Sequence, residues 1–323
     1  MIKTALHGCA LGVLMMAAYA TNAAAADCKV GISMNTLAAP YFAAQEAAAK
    51  DEATKAGCTV TSADGQGDMN KQIADIEDMV SKGVNLLIVN PRDPEGLVPA
   101  VNAAADAGVK VVIIDSGLNP KAKFVTLVQS SNDQNGFLVG QWMATATKGK
   151  DLKIALLSGD KGNVVGQARR LGVIKGLVEG QLVNDGKVSF QIVAQGWGAW
   201  SDTGGLSAME DILTAHPEVN VVLGENDSMV LGAMKALKAA GKEDVMVLAA
   251  ADGQKEALAL IKEGKYSATG LNDPDLVART GVQAGLKALA GTLPADFPKI
   301  DYTTPDVITK DNVDKYYRAG AVF

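Results

Sequence analysis

Short apolar runs alternate along the chain with longer segments in which apolar residues recur at helical spacing. Leu86–Val89 and Val111–Ile114 are apolar throughout, whereas Ile73, Ile76 and Val80 follow the period of one helix face. A continuous apolar run between two helices is typical of a strand buried on both faces of a parallel sheet. The pattern therefore predicts an α/β fold built on parallel sheets.

The alternation continues to the last third of the chain. The predicted strands are Cys28–Ser33, Cys58–Ala63, Leu86–Val89, Val109–Ile114, Lys153–Leu157, Ser189–Ala194, Val219–Gly224 and Val245–Ala250. The predicted helices are Pro40–Ala56, Met69–Lys82, Pro94–Ala107, Asn132–Lys148, Val165–Glu179, Thr203–Ala215, Asp227–Ala240, Gln254–Gly264 and a short one near Asn312–Arg318. About a dozen strands are too many for one open twisted sheet, so two Rossmann-like lobes are predicted.

Two of the apolar runs end in an aspartate. Asp115 follows Val111–Ile114, and Asp252 follows Val247–Ala251. In open α/β sheets the ligand crevice lies beyond the carboxyl ends of the strands. We therefore expect each lobe to contribute one carboxylate to a small, hydrogen-bonding ligand.

The first 26 residues have the layout of a secretory signal peptide. Lys3 precedes the apolar stretch Ala10–Ala20, and small residues stand before Asp27. The apolar stretch is too short to span a bilayer. We predict an exported, soluble protein located in the periplasm.

The cysteine positions suggest a disulfide, and the net charge limits the classes of binding partner. Cys28 and Cys58 each open a predicted strand, and in an oxidising compartment they are candidates for a structural disulfide, with two buried thiols as the alternative. The formal net charge is −6, without a basic cluster. This balance argues against nucleic acid and anionic membranes as partners.

Residue patterns of common catalytic sites are missing from the sequence. The chain has two histidines, His7 and His216, which disfavours a zinc site or a Ser-His-Asp triad. Gly65 and Gly67 follow a strand, but Asn70 replaces the third glycine of a dinucleotide fingerprint. We therefore expect no catalytic residue, no cofactor and no metal.

Aromatic residues accompany the polar strand ends. Tyr41 and Phe42 follow Pro40 at a helix start, while Trp197 and Trp200 stand in a glycine-rich segment predicted as a loop. Aromatic faces can cover the C–H faces of sugars, and carboxylates, amides and arginine bind hydroxyl groups. Ordinary packing remains the alternative for each aromatic residue.

The chain resembles the periplasmic sugar-binding proteins of the ribose-binding type (type I periplasmic binding proteins) over nearly its whole length. The segments that carry the resemblance are Thr36–Phe42, Asn90–Asp93, Ile114–Asp115, Gln167–Gly172, Leu213–Pro217, Glu225–Met229 and Ala251–Gly253. It implies two lobes joined by a three-segment hinge, with a ligand between them that is delivered to an ATP-driven importer. We expect an N-terminal lobe of residues 27–130 plus about 273–301, and a C-terminal lobe of 131–272 plus about 302–323.

The resemblance also implies the ligand contacts. They are Tyr41 and Phe42 against the sugar ring, Asp115 for a pair of hydroxyl groups, and Arg169, Trp200, Asn226, Asp252 and Asn272 from the other lobe. Ser116, Asn163 and Trp197 are weaker candidates.

Two departures from the family pattern concern the N-terminal lobe. Ser116 stands where relatives often have a basic residue, and Ala39 stands where they often have asparagine. Both changes remove hydrogen-bond donors, so a linear sugar alcohol or another neutral polyol becomes a candidate beside a pentose or hexose. The expected partners are such a ligand and the membrane permease of an ABC importer, with the chain itself a monomer.

Other functions are known on folds of this kind. A receptor for a sugar-like signal in chemotaxis or quorum sensing would use the same site, and an exported carbohydrate-active enzyme is a less favoured interpretation. A sugar-responsive transcriptional regulator needs a DNA-binding segment where this chain has the predicted signal peptide.

Overall fold

The computed structural model describes residues 28–323, so the predicted signal peptide lies outside the described residues. In this part of the chain twelve strands form two six-stranded sheets. The strands are β1 (Lys29–Met34), β2 (Thr59–Asp64), β3 (Leu86–Val89), β4 (Lys110–Ile114), β5 (Leu127–Ser130), β6 (Leu152–Ser158), β7 (Phe190–Trp197), β8 (Val221–Gly224), β9 (Met246–Asp252), β10 (Ala268–Leu271), β11 (Ile300–Thr303) and β12 (Val307–Thr309).

Helices connect most successive strands. They are α1 (Pro40–Lys55), α2 (Met69–Ser81), α3 (Val98–Asp106), α4 (Asn132–Ala146), α5 (Val164–Asp185), α6 (Asp202–Ala215), α7 (Asp227–Ala239), α8 (Lys255–Glu263) and α9 (Pro274–Leu289), with a 3-10 helix at Val313–Lys315. Pro274 lies in the first turn of α9, where its missing N–H costs no helical hydrogen bond.

The two sheets have equivalent strand orders. The first has the order β11-β5-β4-β3-β1-β2 with all pairs parallel. The second has the order β12-β10-β9-β8-β6-β7 and is parallel except for β12, which runs antiparallel to β10. The prediction of two parallel-sheet lobes flanked by helices is confirmed.

Helices cover both faces of each sheet, which explains the uniformly apolar strands. All four residues of β3 are fully buried, because α1 and α9 pack on one face of the first sheet and α2 and α3 on the other. In the second sheet, one face packs against α4 and α5 and the opposite face against α6, α7 and α8.

Some element boundaries differ from the sequence prediction. The helix expected from Pro94 begins at Val98, because Asp93 accepts the backbone N–H of Glu95 and Gly96 at 2.9 and 2.7 Å and holds a turn there. Strands β5, β10, β11 and β12 are missing from the predicted set, since each has only three or four residues and includes polar ones. Strand β7 extends to Trp197, so the expectation of a loop at that residue is wrong.

The chain crosses between the sheets three times. The crossings follow β5, β10 and β11. The fully buried Asn135 joins them: its amide nitrogen donates to Ser130 Oγ at 2.7 Å and to the Leu271 carbonyl at 2.5 Å, and its oxygen accepts the Asp306 N–H at 3.2 Å. One side chain thus ties together all three connecting segments.

A disulfide joins the first two strands at their amino-terminal ends. Cys28 and Cys58 precede β1 and β2, with their Cα atoms 4.6 Å apart. Because β1 and β2 are neighbours in the sheet, the bridge links two segments that the hydrogen bonds already align.

Candidate binding site

A cleft of about 500 Å³ lies where the carboxyl ends of strands from both sheets face each other. Residues after β1, β3 and β4 line it from the first sheet, and residues after β6 and β8, with the end of β9, from the second. Ten of the eleven residues proposed from the sequence are among its lining residues: Tyr41, Phe42, Asp115, Ser116, Asn163, Arg169, Trp200, Asn226, Asp252 and Asn272.

Asp115 lies directly after β4 with a left-handed backbone, at φ 63°. Aspartate tolerates this conformation better than most residues. Its carboxylate accepts the Tyr41 hydroxyl at 2.8 Å, the Ser116 hydroxyl at 3.3 Å and the Asn90 amide at 3.4 Å. Burial raises the pKa of Asp115, and the Tyr41 hydrogen bond and the Arg169 charge offset only part of this rise.

Asp252 is the last residue of β9 and is largely buried. Its Oδ1 lies 2.7 Å from Arg169 Nη2 and accepts the Asn272 amide at 3.0 Å. Arg169 is held on its other sides, because it donates to Asn132 Oδ1 at 2.8 Å and to the Glu225 carbonyl at 3.0 Å. The charged pair is therefore fixed before any ligand arrives.

Asp227 shapes the backbone around Asp252. One of its oxygens accepts three successive backbone N–H groups, from residues 252, 253 and 254, at 3.1, 2.7 and 2.8 Å. The other accepts the hydroxyl of buried Tyr266 at 2.7 Å. Burial first, and then the charge of Asp252, raise the pKa of Asp227. This carboxylate lies outside the cleft and positions Asp252.

A hydrogen-bonded path links the two strand-end carboxylates. The Tyr41 hydroxyl lies 2.8 Å from Asp115 Oδ1 and 2.9 Å from Asn272 Oδ1, and the Asn272 amide continues to Asp252. The hydroxyl has one proton and can donate to only one of the two oxygens. Burial, followed by the charges of Asp115 and Asp252, holds the pKa of Tyr41 well above its usual value, so this proton is retained.

Aromatic rings occupy both sides of the cleft. Tyr41 and Phe42 meet edge to face with ring centres 5.5 Å apart. Across the cleft the Trp200 ring lies 5.8 Å from the Arg169 guanidinium. It packs directly on Gly159, where an added Cβ would come within 2.0 Å of the ring. Trp200 and the preceding Ala199 both have positive φ, at 59° and 46°, an uncommon geometry that the surrounding packing must hold.

Of the remaining predicted residues, two cap helices and one does not line the cleft. Asn163 and Asn226 cap α5 and α7 by accepting the N–H of Gly166 and of Met229, at 3.0 and 3.1 Å. They line the cleft at helix N-termini. Trp197 is not among the lining residues; it is 37% exposed, with Lys161 and Arg170 near its ring.

Sequence reasoning missed two polar contributors at the first lobe. Fully buried Asn90 donates to Gln45 Oε1 at 2.8 Å, while its own Oδ1 has no hydrogen-bond partner among the described residues. Asn35, which lines the cleft, also has a buried Oδ1 without a partner there. Their signal was present, because each follows an apolar strand as Asp115 does.

Two negative findings concern residues 28–323. None of the helices in this range has the length and apolar character needed to cross a bilayer. The same residues contain no group of three or more acidic, histidine or cysteine side chains arranged to hold a metal ion.

Comparison with known proteins yields one family. Residues 30–293 match the sequence model of the periplasmic binding protein domain. The ribose import binding protein of Bacillus subtilis is 35% identical over 262 residues, which cover 81% of this chain and 82% of the relative.

Comparison with solved structures points to the same family. The structure of an ABC transporter solute-binding protein from Mycobacterium smegmatis with bound glycerol matches with a TM-score of 0.80 and 32% identity, covering 91% of this chain and 98% of that one. A periplasmic solute-binding protein from Actinobacillus succinogenes with bound D-allose matches with a TM-score of 0.79 and 26% identity, covering 90% and 100%. The chain belongs to the periplasmic binding protein family and is of the ribose-binding type, as its sequence predicted.

Proposed function

We propose that the chain is the solute-binding component of an ABC importer and holds a small neutral carbohydrate or polyol between its two lobes. The observation that carries this is the path from Asp115 through Tyr41 and Asn272 to Asp252, set in a cleft between two sheets. Carboxylates at both ends can each accept hydroxyl protons in charge-assisted hydrogen bonds. Ribose, glycerol and D-allose, named for the relatives, are all neutral polyhydroxylated molecules.

The geometry favours neutral ligands over charged ones. Of the two arginines that line the cleft, Arg169 is paired with Asp252 at 2.7 Å. Arg92 is exposed to solvent and donates to the Gly67 carbonyl at 3.1 Å, so neither arginine places an unpaired buried cation against the ligand. Asp115 is half-buried in the cleft lining, and no cation in residues 28–323 lies within salt-bridge distance of it. Hydroxyl groups satisfy such carboxylates without adding a buried charge of their own.

Ligand binding would work through lobe closure. A ligand that contacts both carboxylates binds best when the lobes are close, and so shifts the population towards the closed form. We propose lobes of residues 27–130 plus about 273–301, and of 131–272 plus about 302–323. The membership of the strands in the two sheets supports this division, with β11 of the first sheet extending to Thr303.

The same proposal implies a cellular location, an oligomeric state and a protein partner. We infer a periplasmic location, export through the signal peptide at residues 1–26, a monomeric state and a membrane permease that receives the closed form. On the ligand, Ser116 and Ala39 leave the first lobe with few donors, which favours a linear sugar alcohol or another neutral polyol beside a pentose or hexose.

The first test is a thermal-shift screen against pentoses, hexoses and four- to six-carbon alditols. Binding stabilises the folded state by about 2.7 kcal/mol at a ligand concentration a hundred times the dissociation constant. We expect one or more of these compounds to raise the melting temperature, and Asp252→Ala and Trp200→Ala to abolish the shift. The ligand should be recovered chemically unchanged, which separates a binding protein from an enzyme.

Matched controls come from the same residue types outside the cleft. Asp211→Ala removes an exposed carboxylate from α6, and Trp197→Ala removes a tryptophan that does not line the cleft. Both variants should keep the full shift. An unchanged shift in Asp252→Ala and Trp200→Ala would refute the site, and no shift with any neutral sugar or polyol would refute the ligand class.

A further inference from the structure

The segment from Arg318 to Phe323 reaches from the second lobe into the cleft. Phe323 lines the cleft, and its ring lies edge to face on Tyr41 with centres 5.3 Å apart. Tyr41 therefore lies between two aromatic rings, Phe42 and Phe323, while its hydroxyl points to Asp115 and Asn272. None of the site residues expected from the sequence lies in this segment.

Polar contacts of two side chains, Lys255 and Arg318, hold the segment in place. Lys255, the first residue of α8, donates to the Ala321 carbonyl at 2.6 Å. Arg318 contacts the Asp273 carboxylate at 2.9 Å, and the Ala321 N–H returns to the Arg318 carbonyl at 3.0 Å to form a turn. Neither Lys255 nor Arg318 lines the ligand cleft, so the segment is positioned from outside it.

Neighbouring side chains in the segment have opposite surroundings. Val322 is 65% exposed, whereas Phe323 is half-buried and faces the cleft. A separate cavity of only about 30 Å³ remains between the segment and the second lobe, lined by Phe323 and Asp252 among others. Phe323 and Asp252 line both this small cavity and the cleft, so the Phe323 ring lies at the boundary between the two.

We infer that Phe323 is a third aromatic wall of the carbohydrate site, positioned by Lys255, and that it limits the length of the ligand. The inference rests on the proposed function and specifies it. The ring offers an apolar face to C–H groups of a short polyol or sugar, and it occupies space that a longer chain would need.

The test compares Phe323→Ala with the unmodified protein by isothermal titration. The probes are erythritol, xylitol, sorbitol, D-ribose and D-allose. We expect the dissociation constant of the tightest four- or five-carbon probe to rise about three- to tenfold, as loss of an aromatic contact implies. We expect the affinity for the six-carbon probes to fall less or to rise, so that the preference shifts towards longer ligands.

Three further variants distinguish the loss of the Phe323 contact from a general effect on folding. Val322→Ala changes the exposed neighbour and should leave every dissociation constant unchanged. Lys255→Met should change the probe preference in the same direction as Phe323→Ala, because the segment loses an anchor, and Lys255→Arg should restore it. Melting temperatures without ligand should stay close in all variants, since none of these side chains belongs to a main core cluster.

The outcomes distinguish this inference from the proposed function. If the unmodified protein binds no compound of the thermal-shift screen, the proposed function fails, and the inference falls with it. If it binds one or more and Phe323→Ala keeps the same constants and the same order of preference, only the inference is overturned. A Lys255→Met variant identical to the unmodified protein contradicts the role of Lys255 as the positioning residue.

Discussion

At the scale of single residues, Asp115 combines features that lower stability and serve binding. It has a left-handed backbone, its side chain is half-buried, and its pKa is raised because desolvation disfavours the charged form. Its protein partners are all neutral donors, from Tyr41, Asn90 and Ser116. Ligand hydroxyl groups would add to these donors, which makes this carboxylate more favourable in the bound state than in the free one.

The pH dependence of stability in Asp115→Asn tests whether the Asp115 carboxylate lowers the free energy of unfolding. Because the folded-state pKa lies above the ordinary value of 3.8, the native state binds a proton more tightly than the unfolded chain does. The contribution of Asp115 to stability is therefore present below the ordinary pKa and is lost as pH rises through the raised one. The neutral asparagine side chain has no such loss, so the free energy of unfolding of Asp115→Asn relative to wild type should increase from pH 3 to pH 7.

Urea unfolding at the two pH values measures this difference, with Asp211→Asn as a surface control. Asparagine keeps the left-handed backbone accessible, so the comparison is free of a large conformational penalty. Ligand affinity should fall in the same variant. A relative stability that decreases with pH would contradict the role of burial at Asp115.

At the scale of elements, the pairing of α4 with α5 places Arg169. Glycines on the two helices face the partner backbone: a Cβ at Gly140 would lie 2.2 Å from the Val173 carbonyl oxygen, and one at Gly176 would lie 2.0 Å from that of Phe137. The helices thus touch backbone to backbone. This closeness brings Arg169 on α5 within 2.8 Å of Asn132, the first residue of α4.

Substitution of Gly176 by alanine should separate these helices. The added methyl group meets a backbone oxygen that cannot move independently, and overpacking of this kind typically costs about 1–3 kcal/mol. Chemical denaturation of Gly176→Ala should show that loss. Gly320→Ala is the matched control, because a Cβ there has open space and should leave the free energy of unfolding unchanged. Equal stability of the two variants would show that the helix pair has room to adjust.

At the scale of the whole molecule, the three crossings decide how the lobes can move. Asn135 satisfies all of its bonds within these crossings, to Ser130, Leu271 and Asp306. Any opening motion must therefore keep this junction intact or break bonds of a fully buried amide. We expect rotation about the junction, with the cleft contacts between Tyr41 and Asn272 separating instead.

Loss of the Asn135 amide tests the junction. Asn135→Ala leaves the Asp306 N–H without its partner, while the Leu271 carbonyl keeps the Ser130 hydroxyl at 3.1 Å. One such unsatisfied buried group costs about 1–3 kcal/mol. The free energy of unfolding from urea denaturation should therefore drop by about 1–3 kcal/mol. Asn70→Ala, on the exposed surface of α2, should be neutral. A loss below about 0.5 kcal/mol in Asn135→Ala would mean that water replaces the amide there.

Sequence reasoning reached the fold because each lobe repeats a local pattern. Apolar runs such as Leu86–Val89 are typical of strands between two helical layers, and a polar residue directly after such a run, such as Asp115, falls at the ligand edge of the sheet. Where a boundary depended on side-chain capping or strand extension, as at Asp93 and Trp197, periodicity alone was misleading.

The sequence by itself determined two parallel-sheet lobes, the family and the set of side chains at the strand ends, because these follow from local periodicity and short motifs. Only the tertiary structure decided how those side chains meet. The contact of Tyr41 with Asn272 joins residues 231 positions apart, and Phe323 reaches Tyr41 only after the chain has crossed between the sheets three times. Such contacts depend on the relative placement of whole elements, which no local pattern specifies.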